Sequence, residues 1–475
     1  MRGQGDVARH ERWVMLTTLV LLQVVTIVTG VYAVDNDLTL SALTRQPPPA
    51  EPTAPPEVPV VTAGPVLAGL AARPGDGPLP TKGTLTRRLT DALGDRALGD
   101  RVGAVVVDAS TGERVFAANP DAGIVPASTT KVVTSVAALA SLGPDTRLAT
   151  RVVQGGAPGA IVLVGGGDPL LAGPRAKPGS FTDQASMTTL AARTAAALKQ
   201  RGVAKVTLSY DASLFTGPDV GPGWKPGYIP DGHVARVHAL AIDEGRQNPG
   251  QNSPRVADPS RHAADAFAGL LKKKGITVAK TVEPARAPAG AAELAKVESA
   301  PVYALVEHAL TYSDNDLSEA LARHVAIKEG QPGSFAGVAK AVPQVLQRVG
   351  AGGGIQVYDG SGLSTRNRIS AGAMAGLIAL AVSPDRPGLH AVASGMPIAG
   401  FTGTLGNGRR FTGADSKGQV GLVRAKTGTL NNVSTLAGLT TSKDGRVLAF
   451  AFMADKVPVY AEPVLDRLAA IVARA

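Results

Sequence analysis

The chain has 475 residues, which is enough for one large domain and a smaller one. Hydrophobic residues make up 44% and charged residues 18%, so most of the chain is expected to fold around packed cores. The absence of cysteine excludes disulfide bonds, thiolate metal sites and a cysteine nucleophile. The net charge of +10 is spread along the chain and indicates a basic, solvated surface rather than a nucleic-acid-binding motif.

The amino terminus has the pattern of an export segment. Three arginines within the basic segment 1–12 precede a stretch at 13–34 that has no charged residue. Such a stretch is long enough to span a bilayer as a helix, and the charge bias places the amino terminus in the cytoplasm. Val31-Tyr32-Ala33 also has the small-residue spacing of a cleavage site, so a membrane anchor and a cleaved signal both stay open. Either interpretation predicts an extracytoplasmic enzyme or binding protein.

The rest of the chain divides by composition. Residues 35–82 are rich in proline and are predicted to form a semi-rigid linker. Residues 83–144 are expected to form the first part of a domain, with two strands and a helix that begins at Ser128. Residues 145–298 alternate short strands, Gly- and Pro-rich turns and helices, and are interpreted as an inserted α/β module.

Residues 299–475 are predicted to complete the domain. Four helical patterns come first, followed by three strands and a last helix at 457–475. Strands therefore occur at both ends of the folded part, with helices between them. This order predicts an α+β fold in which the two ends share one mostly antiparallel sheet.

The first segment with chemical potential is Ser128-Thr129-Thr130-Lys131, at the start of a predicted helix. Residues three apart share one face of a helix, so the hydroxyl of Ser128 and the amine of Lys131 can meet. A serine needs a base to become a nucleophile, and a lysine can serve if burial lowers its pKa. Alone, however, Ser-x-x-Lys is also the pattern of a capped helix with an exposed lysine.

Ser313-Asp314-Asn315 stands at the start of another predicted helix. Ser313 is a good N-cap there, and this bland interpretation suffices for the segment alone. The functional interpretation has Ser313 relay a proton between the lysine and the leaving group. Asn315 would then form a hydrogen bond with the substrate amide.

Lys426-Thr427-Gly428-Thr429 follows a strand predicted at 421–425. Gly428 permits a ligand to approach the strand backbone closely. Lys426 offers a point charge for a substrate carboxylate, and the threonine hydroxyls offer donors. An edge strand protected by a charged lysine is the alternative interpretation.

The order of the three segments resembles the penicillin-binding protein and serine β-lactamase superfamily. Their surroundings are similar to one branch, the class C low-molecular-mass penicillin-binding proteins, which are D-alanyl-D-alanine carboxypeptidases and endopeptidases. The resemblance covers roughly residues 84–475. It is carried by Pro126–Lys131, Tyr312–Asp316, Glu319–Leu321, Asp359–Ser364, Arg366–Arg368, Pro397–Gly400, Gly403–Leu405 and Lys426–Thr429.

The resemblance implies a penicillin-binding/β-lactamase-like transpeptidase fold, interrupted by the inserted module. It implies a peptidase that forms an acyl-enzyme on Ser128 with peptidoglycan peptides ending in D-Ala-D-Ala, and that penicillins inhibit covalently. Neither a metal nor a cofactor is implied, and the backbone N–H groups of Ser128 and Thr429 would form the oxyanion hole. The implied catalytic residues are Ser128, Lys131 and Ser313, and the implied substrate-binding residues are Asn315, Lys426, Thr427, Gly428 and Thr429.

Other functions are weighed on the same residues. No Glu-x-x-Leu-Asn tetrad of the kind that deacylates some β-lactamases is found, and the separation of Ser128 and Ser313 is long for such an enzyme. A non-catalytic wall-binding protein on the same fold stays open. A Ser-His-Asp hydrolase is disfavoured because Ser128 lacks a Gly-x-Ser-x-Gly context. Asp359 and Ser361 are interpreted as loop geometry beside the site, and the role of the inserted module is left open.

Overall fold

The computed structural model describes residues 13, 15–28, 82–175, 184–248, 253–279, 282–406, 408, 410–458 and 460–475. The chain divides into two units, 1–70 and 71–475. In the first unit, residues 15–28 are helical and their apolar side chains are exposed. None of the helices among the described residues combines the length and the apolar character needed to cross a membrane. The basic segment 1–12, the end of the predicted span at 29–34 and the predicted linker, up to residue 81, lie outside the described residues.

The second unit contains helices and strands throughout. The helices are α1 (Lys82–Leu93), α2 (Thr130–Leu142), α3 (Met187–Gln200), α4 (Pro259–Lys273), α5 (Val302–Thr311), α6 (Asn315–Lys328), α7 (Phe335–Arg348), α8 (Ala371–Ala381), α9 (Ala391–Gly395) and α10 (Glu462–Ala473). The strands are β1 (Arg101–Asp108), β2 (Arg114–Ala118), β3 (Ala149–Gln154), β4 (Ala160–Val164), β5 (Lys205–Asp211), β6 (Thr277–Val278), β7 (Glu283–Pro284), β8 (Glu293–Glu298), β9 (Ile355–Gln356), β10 (Arg368–Ile369), β11 (Val423–Leu430), β12 (Val433–Thr441) and β13 (Val447–Asp455).

A five-stranded antiparallel sheet joins the two ends of this unit. Its strand order is β11-β12-β13-β1-β2, so the first strands of the fold lie beside the last ones. Side chains of β13 alternate between two cores, as the two-residue period of a strand requires. Phe450 and Phe452 face one core, and Ala451 and Met453 face the other. The predicted α+β fold with a shared antiparallel sheet is confirmed.

Helices cover both faces of this sheet. On one face, α1 and α10 pack together over the core that contains Phe450 and Phe452. On the other face, α2 is surrounded by α5, α6 and α7, and every residue from Thr130 to Leu139 is buried. A helix enclosed on all sides must be apolar around most of its circumference, which the valines and alanines of α2 provide. This burial places Lys131, in the first turn of α2, inside the protein.

The inserted module has its own mixed sheet and its own core. Strands β6-β5-β4-β3-β8 lie in that order, with β7 beside β5, and α3 and α4 pack against the sheet. The pairs around β3 are antiparallel, whereas β4, β5 and β6 are parallel. The strands β3 and β8, where the chain enters and leaves the module, are direct neighbours and pair Ala149 with Glu298. Because its two ends are adjacent, the module can interrupt the larger domain without separating the elements on either side.

Several predicted boundaries were wrong. The strand predicted at 421–425 is β11, which begins at Val423 and continues to Leu430, so the Lys-Thr-Gly-Thr segment lies inside a strand. The last helix begins at Glu462 rather than at 457. Prolines at 458 and 463 explain the later start, because proline is accepted in the first turn of a helix but not in its interior.

Candidate active site

Ser128 lies in a tight turn that leads into α2. A 3₁₀ turn covers Ala127–Thr129, so the helix predicted from Ser128 has its first regular turn at Thr130. Two hydrogen bonds hold this turn, because the hydroxyls of Thr129 and Thr435 both donate to the carbonyl of Pro126, at 2.7 and 2.9 Å. Ser128 itself is only partly buried. Its hydroxyl is therefore held in place and still accessible from outside.

Lys131 is fully buried and directs its amine at three oxygen atoms. Its Nζ lies 3.1 Å from Ser128 Oγ and 2.6 Å from Asn315 Oδ1. The third oxygen is the backbone carbonyl of Ser361, at 2.7 Å. These three partners match the three hydrogens of an ammonium group, so the position of the amine is fixed.

Burial and the nearby carboxylates together set the pKa of Lys131. Burial lowers the pKa of Lys131 to about 8, although the carboxylates of Asp359, Asp314 and Glu319 act in the opposite direction. An ordinary lysine has a pKa of about 10.4. A substantial neutral fraction therefore exists near pH 8, and only the neutral amine can accept a proton from Ser128.

The structure corrects the interpretation of Ser313 as a helix cap. Asp314 caps α6, because its carboxylate accepts the backbone N–H of Leu317 at 2.9 Å. Ser313 precedes the cap and has a φ of 59°, a left-handed conformation that few residues other than glycine adopt. Its hydroxyl accepts a hydrogen bond from Lys426 Nζ at 2.9 Å. A cap at Asp314 leaves the Ser313 hydroxyl free for this second lysine.

Lys426 is also fully buried, inside β11. Its Nζ donates to Ser313 Oγ and, at 2.8 Å, to the carbonyl of Thr427. Burial pushes the pKa of Lys426 well below its ordinary value, and the positive charges of Lys131 and Arg410 push it in the same direction. A negatively charged group placed beside Lys426 would restore its charge. The position therefore suits the binding of a carboxylate.

The glycine of the third segment lets β11 lie against the turn that holds Ser128. A Cβ atom on Gly428 would lie 2.2 Å from Thr435 Oγ1 and 2.6 Å from the carbonyl of Pro126. Real Cβ contacts are not that short, so a larger residue would push the strand away. On either side of it, Thr427 Oγ1 lies 2.8 Å from Thr404 Oγ1, and Thr429 donates to Glu462 at 2.9 Å.

The structure thus brings the three sequence segments to one place, because one contact joins the first segment to the second and another joins the second to the third. Ser128, Lys131 and Asn315 are joined through the amine of Lys131. Ser313 is joined to Lys426, and the two lysines are near enough for the charge of one to affect the other. The hydroxyl of Ser128, the amide of Asn315 and the amines of Lys131 and Lys426 therefore share one site.

The loop that supplies the Ser361 carbonyl is absent from the site residues that the sequence predicts. Asp359 and Ser361 are more than loop geometry beside the site, because both are fully buried and the Ser361 carbonyl accepts from Lys131. The carboxylate of Glu319 accepts the backbone N–H of Ser361 at 2.8 Å and that of Gly360 at 3.1 Å. Burial raises the pKa of Glu319 to about 7. A backbone carbonyl has no residue-type signal, so no pattern in the sequence indicates its role.

One cluster of carboxylates has the ligand types that a metal ion prefers. Within the described part of the chain, Glu244, Asp314 and Asp316 bring oxygen atoms within 4.8 Å of one another. A buried arginine already lies among them, because Arg255 pairs with Asp316 at 2.9 Å and with Glu244 at 3.6 Å. The guanidinium supplies the positive charge that such a cluster needs.

Comparisons with known proteins identify the family. The model of the D-Ala-D-Ala carboxypeptidase 3 (S13) family matches residues 85–253 and 246–474. The chain belongs to this family. The resemblance based on motif order is confirmed, and the chain is a serine-type D-Ala-D-Ala carboxypeptidase.

The S13 carboxypeptidase is similar along most of its length to curated relatives. A carboxypeptidase of Mycobacterium tuberculosis is 38% identical over 426 residues, which is 88% of each chain. Carboxypeptidase DacB of Mycolicibacterium smegmatis is 34% identical over 422 residues, which is 88% of this chain and 89% of the relative. Penicillin binding protein 4 (dacB) from Haemophilus influenzae superposes with a TM-score of 0.65 at 23% identity, over 82% of this chain and 98% of its own. This last likeness supports the fold.

Proposed function

We propose that this carboxypeptidase removes the terminal D-alanine of peptidoglycan stem peptides through an acyl-enzyme on Ser128, with Lys131 as the base. The observation that carries the proposal is the contact of 3.1 Å between Lys131 Nζ and Ser128 Oγ. A buried amine whose pKa is about 8 is a suitable base for a serine hydroxyl. The half-exposed position of Ser128 supports its access to substrate.

In the proposed acylation, Lys131 takes the proton from Ser128 Oγ as this oxygen attacks the carbonyl carbon between the two D-alanines. The oxyanion that forms is held by the backbone N–H groups of Ser128 and Thr429. The bond to the leaving D-alanine then breaks, and its amine receives, through the hydroxyl of Ser313, the proton that Lys131 took from Ser128. The contact between Ser313 and Lys426 supports this route, because it keeps the hydroxyl of Ser313 beside the site.

Substrate binding is assigned to the second and third segments. Lys426 and Thr427 bind the terminal carboxylate, and Gly428 keeps β11 close to the nucleophile. Asn315 uses Oδ1 for Lys131 and Nδ2 for the carbonyl of His233, at 2.8 Å. An amide group has two hydrogens and two lone pairs, so one of each is left for the substrate amide.

Water completes the cycle by hydrolysing the acyl-enzyme. The same steps cleave a peptide cross-link when the amine that leaves belongs to a second peptide, so we include DD-endopeptidase activity in the proposal. Penicillins present a reactive amide and a carboxylate in a similar arrangement. They are proposed to acylate Ser128 and to leave slowly.

Labelled penicillin tests the nucleophile. The wild type and a Ser213→Ala control, changed at an exposed serine, should be labelled, and Ser128→Ala should not. Labelling of Ser128→Ala would contradict the assignment. Purified wild type should also remove one alanine from muropeptides, as measured by mass, and cleavage of cross-linked muropeptides would demonstrate the endopeptidase activity. No change in any muropeptide would favour a non-catalytic penicillin-binding protein, and rapid turnover of penicillin would favour a β-lactamase.

We also propose that the enzyme acts outside the cytoplasm, brought there by the segment at 13–34 as an anchor or as a cleaved signal. The charge-free stretch after a basic amino terminus supports this location. Cell fractionation combined with mass measurement of the mature amino terminus tests it. Full-length protein in the membrane fraction identifies an anchor, and a chain that begins near residue 34 identifies a cleaved signal. Active, full-length enzyme confined to the cytosol would contradict export.

A further inference from the structure

One segment of the inserted module, residues 221–235, lies against the active site. Its Trp224 is buried, and the indole Nε1 donates to Asp359 Oδ2 at 2.8 Å. The indole ring packs edge-on against Phe335, with ring centroids 5.6 Å apart. A buried carboxylate requires hydrogen-bond donors to offset the loss of water. Trp224 therefore supplies Asp359 with a donor that comes from a different part of the fold.

Asp359 in turn organises the loop that faces Lys131. Its carboxylate accepts the backbone N–H groups of Gly362 and Ser364, at 3.0 and 2.6 Å. The carbonyl of Ser361, which shares a peptide unit with the N–H of Gly362, accepts from Lys131 Nζ at 2.7 Å. The position of this carbonyl depends on the loop, and the loop depends on the donors around Asp359.

The same segment holds the loop at two further points. The hydroxyl of Ser364 donates to the carbonyl of Pro222 at 2.5 Å. The hydroxyl of Thr365 donates to the carbonyl of Gly223 at 3.2 Å. Together with the indole of Trp224, three consecutive residues of the module are bonded to the loop.

The far end of the segment holds the second acceptor of Lys131. Asn315 donates to the carbonyl of His233 at 2.8 Å while its Oδ1 accepts from Lys131. Two residues after His233, the backbone N–H of Ala235 donates to one carboxylate oxygen of Asp316 at 2.7 Å. Arg255 donates to the other oxygen of that carboxylate at 2.9 Å. The module therefore contacts both Asn315 and Asp316 at the start of α6.

We propose that the inserted module positions the amine of Lys131, and that Trp224 is a positioning residue that acts through Asp359 and the Ser361 carbonyl. Residues 221–235 contact Asn315 directly and contact the Ser361 loop through Asp359, where they act together with Glu319. They therefore contribute to holding two of the three oxygen partners of Lys131, and the third is Ser128 itself. The inference rests on the proposed role of Lys131 as the base. A displacement of about 1 Å in a catalytic group can lower a rate about a hundredfold, so a distant segment that prevents it has a measurable effect.

Trp224→Phe tests the proposal, because it removes the indole N–H and keeps an aromatic ring against Phe335. Tyr228→Phe is the matched control. It removes a hydroxyl from the same apolar cluster, and this buried hydroxyl has no hydrogen-bond partner among the described residues. The measurements are the acylation rate with labelled penicillin, kcat and KM for a D-Ala-D-Ala peptide, and the midpoint of thermal unfolding.

The expected result is a fall of about tenfold in the acylation rate and in kcat for Trp224→Phe, with KM unchanged, because the carboxylate-binding residues are not disturbed. Tyr228→Phe should match the wild type, and the two variants should unfold at similar temperatures. Wild-type rates in Trp224→Phe would overturn the proposal, as would a fall in kcat that Tyr228→Phe shares or that a rise in KM accompanies. A wild type that fails to acylate would instead overturn the proposed function itself, so the two failures are distinguishable.

Discussion

Lys131 and Lys426 occupy two regions of one site that differ in the charge around them. Both side chains are fully buried, and burial lowers the pKa of both. Around Lys131, carboxylates led by Asp359 oppose this effect and hold the pKa at about 8. Around Lys426, the nearby charges are those of Lys131 and Arg410, which lower its pKa further.

These opposite surroundings suit one residue type to two different tasks in the same site. The amine of Lys131 is balanced so that it can gain or lose a proton near neutral pH, which suits a base. The charges of Lys131 and Arg410 disfavour a charged amine at Lys426, and a negative group bound beside it would restore the charge. This property suits a binding site for a carboxylate. Substitution of each lysine and the pH profile of acylation test whether Lys131 acts as a base and Lys426 as a carboxylate-binding group.

The largest effect is expected for Lys131→Ala. Loss of the base should lower the rate of acylation by penicillin by roughly a thousandfold, because general base catalysis contributes about 10²- to 10⁴-fold. Mass spectrometry of the protein during a time course measures the rate. Lys340→Ala, which changes an exposed helical lysine, is the control and should acylate normally. Acylation of Lys131→Ala at a rate near that of the wild type would assign the base to another group.

A smaller loss, confined to recognition, is expected for Lys426→Ala. Removal of a charged partner of the substrate carboxylate should lower kcat/KM for a D-Ala-D-Ala peptide about a hundredfold. The loss should nearly vanish for the same peptide with an amidated carboxyl terminus, because that substrate has no charge to recognise. Lys443→Ala, at an exposed position after β12, serves as the control. Equal losses for the free and the amidated peptide would show that Lys426 does not act on the carboxylate.

The pH dependence of acylation should follow the loss of the proton from the amine of Lys131. The neutral amine is the reactive form and predominates above its pKa, so the rate should rise with pH through about 8 and then level off. Between pH 7 and 9, the rise should be about tenfold. Stopped-flow measurement of acylation at constant ionic strength gives the profile. A rise centred near the pKa of an exposed lysine, about 10.4, would contradict the balance proposed for Lys131.

The smallest effect is expected for Thr404→Val. The hydroxyl of Thr404 contacts the hydroxyl of Thr427, a residue of the proposed carboxylate site, at 2.8 Å. Loss of one neutral hydrogen bond should raise KM about threefold and leave the acylation chemistry at Lys131 unchanged. Steady-state kinetics measure both values, with Thr412→Val at an exposed position as the control. A fall in kcat larger than the loss of substrate affinity would show that the carboxylate site and the acylation chemistry at Lys131 are coupled.

The sequence alone predicted the contacts that depend on local geometry or on an ordered set of motifs. A spacing of three residues was enough to predict that Ser128 and Lys131 meet, since a helical turn brings such residues onto one face. Motif order and family resemblance pointed to Ser313, Asn315 and Lys426. Strands at both ends of the folded part likewise indicated a shared antiparallel sheet. In each case the signal lies in residue type and in spacing along the chain.

How these residues are held and charged depends on contacts that form only when the chain packs. Asp314 rather than Ser313 caps α6, because a left-handed backbone at Ser313 takes its hydroxyl to Lys426. The Ser361 carbonyl, the indole of Trp224 and the backbone of His233 reach the site from distant segments. Such contacts use backbone atoms or a buried side chain, which carry no pattern in the sequence. Desolvation, which separates the two lysines from ordinary ones, likewise exists only once the chain has packed around them.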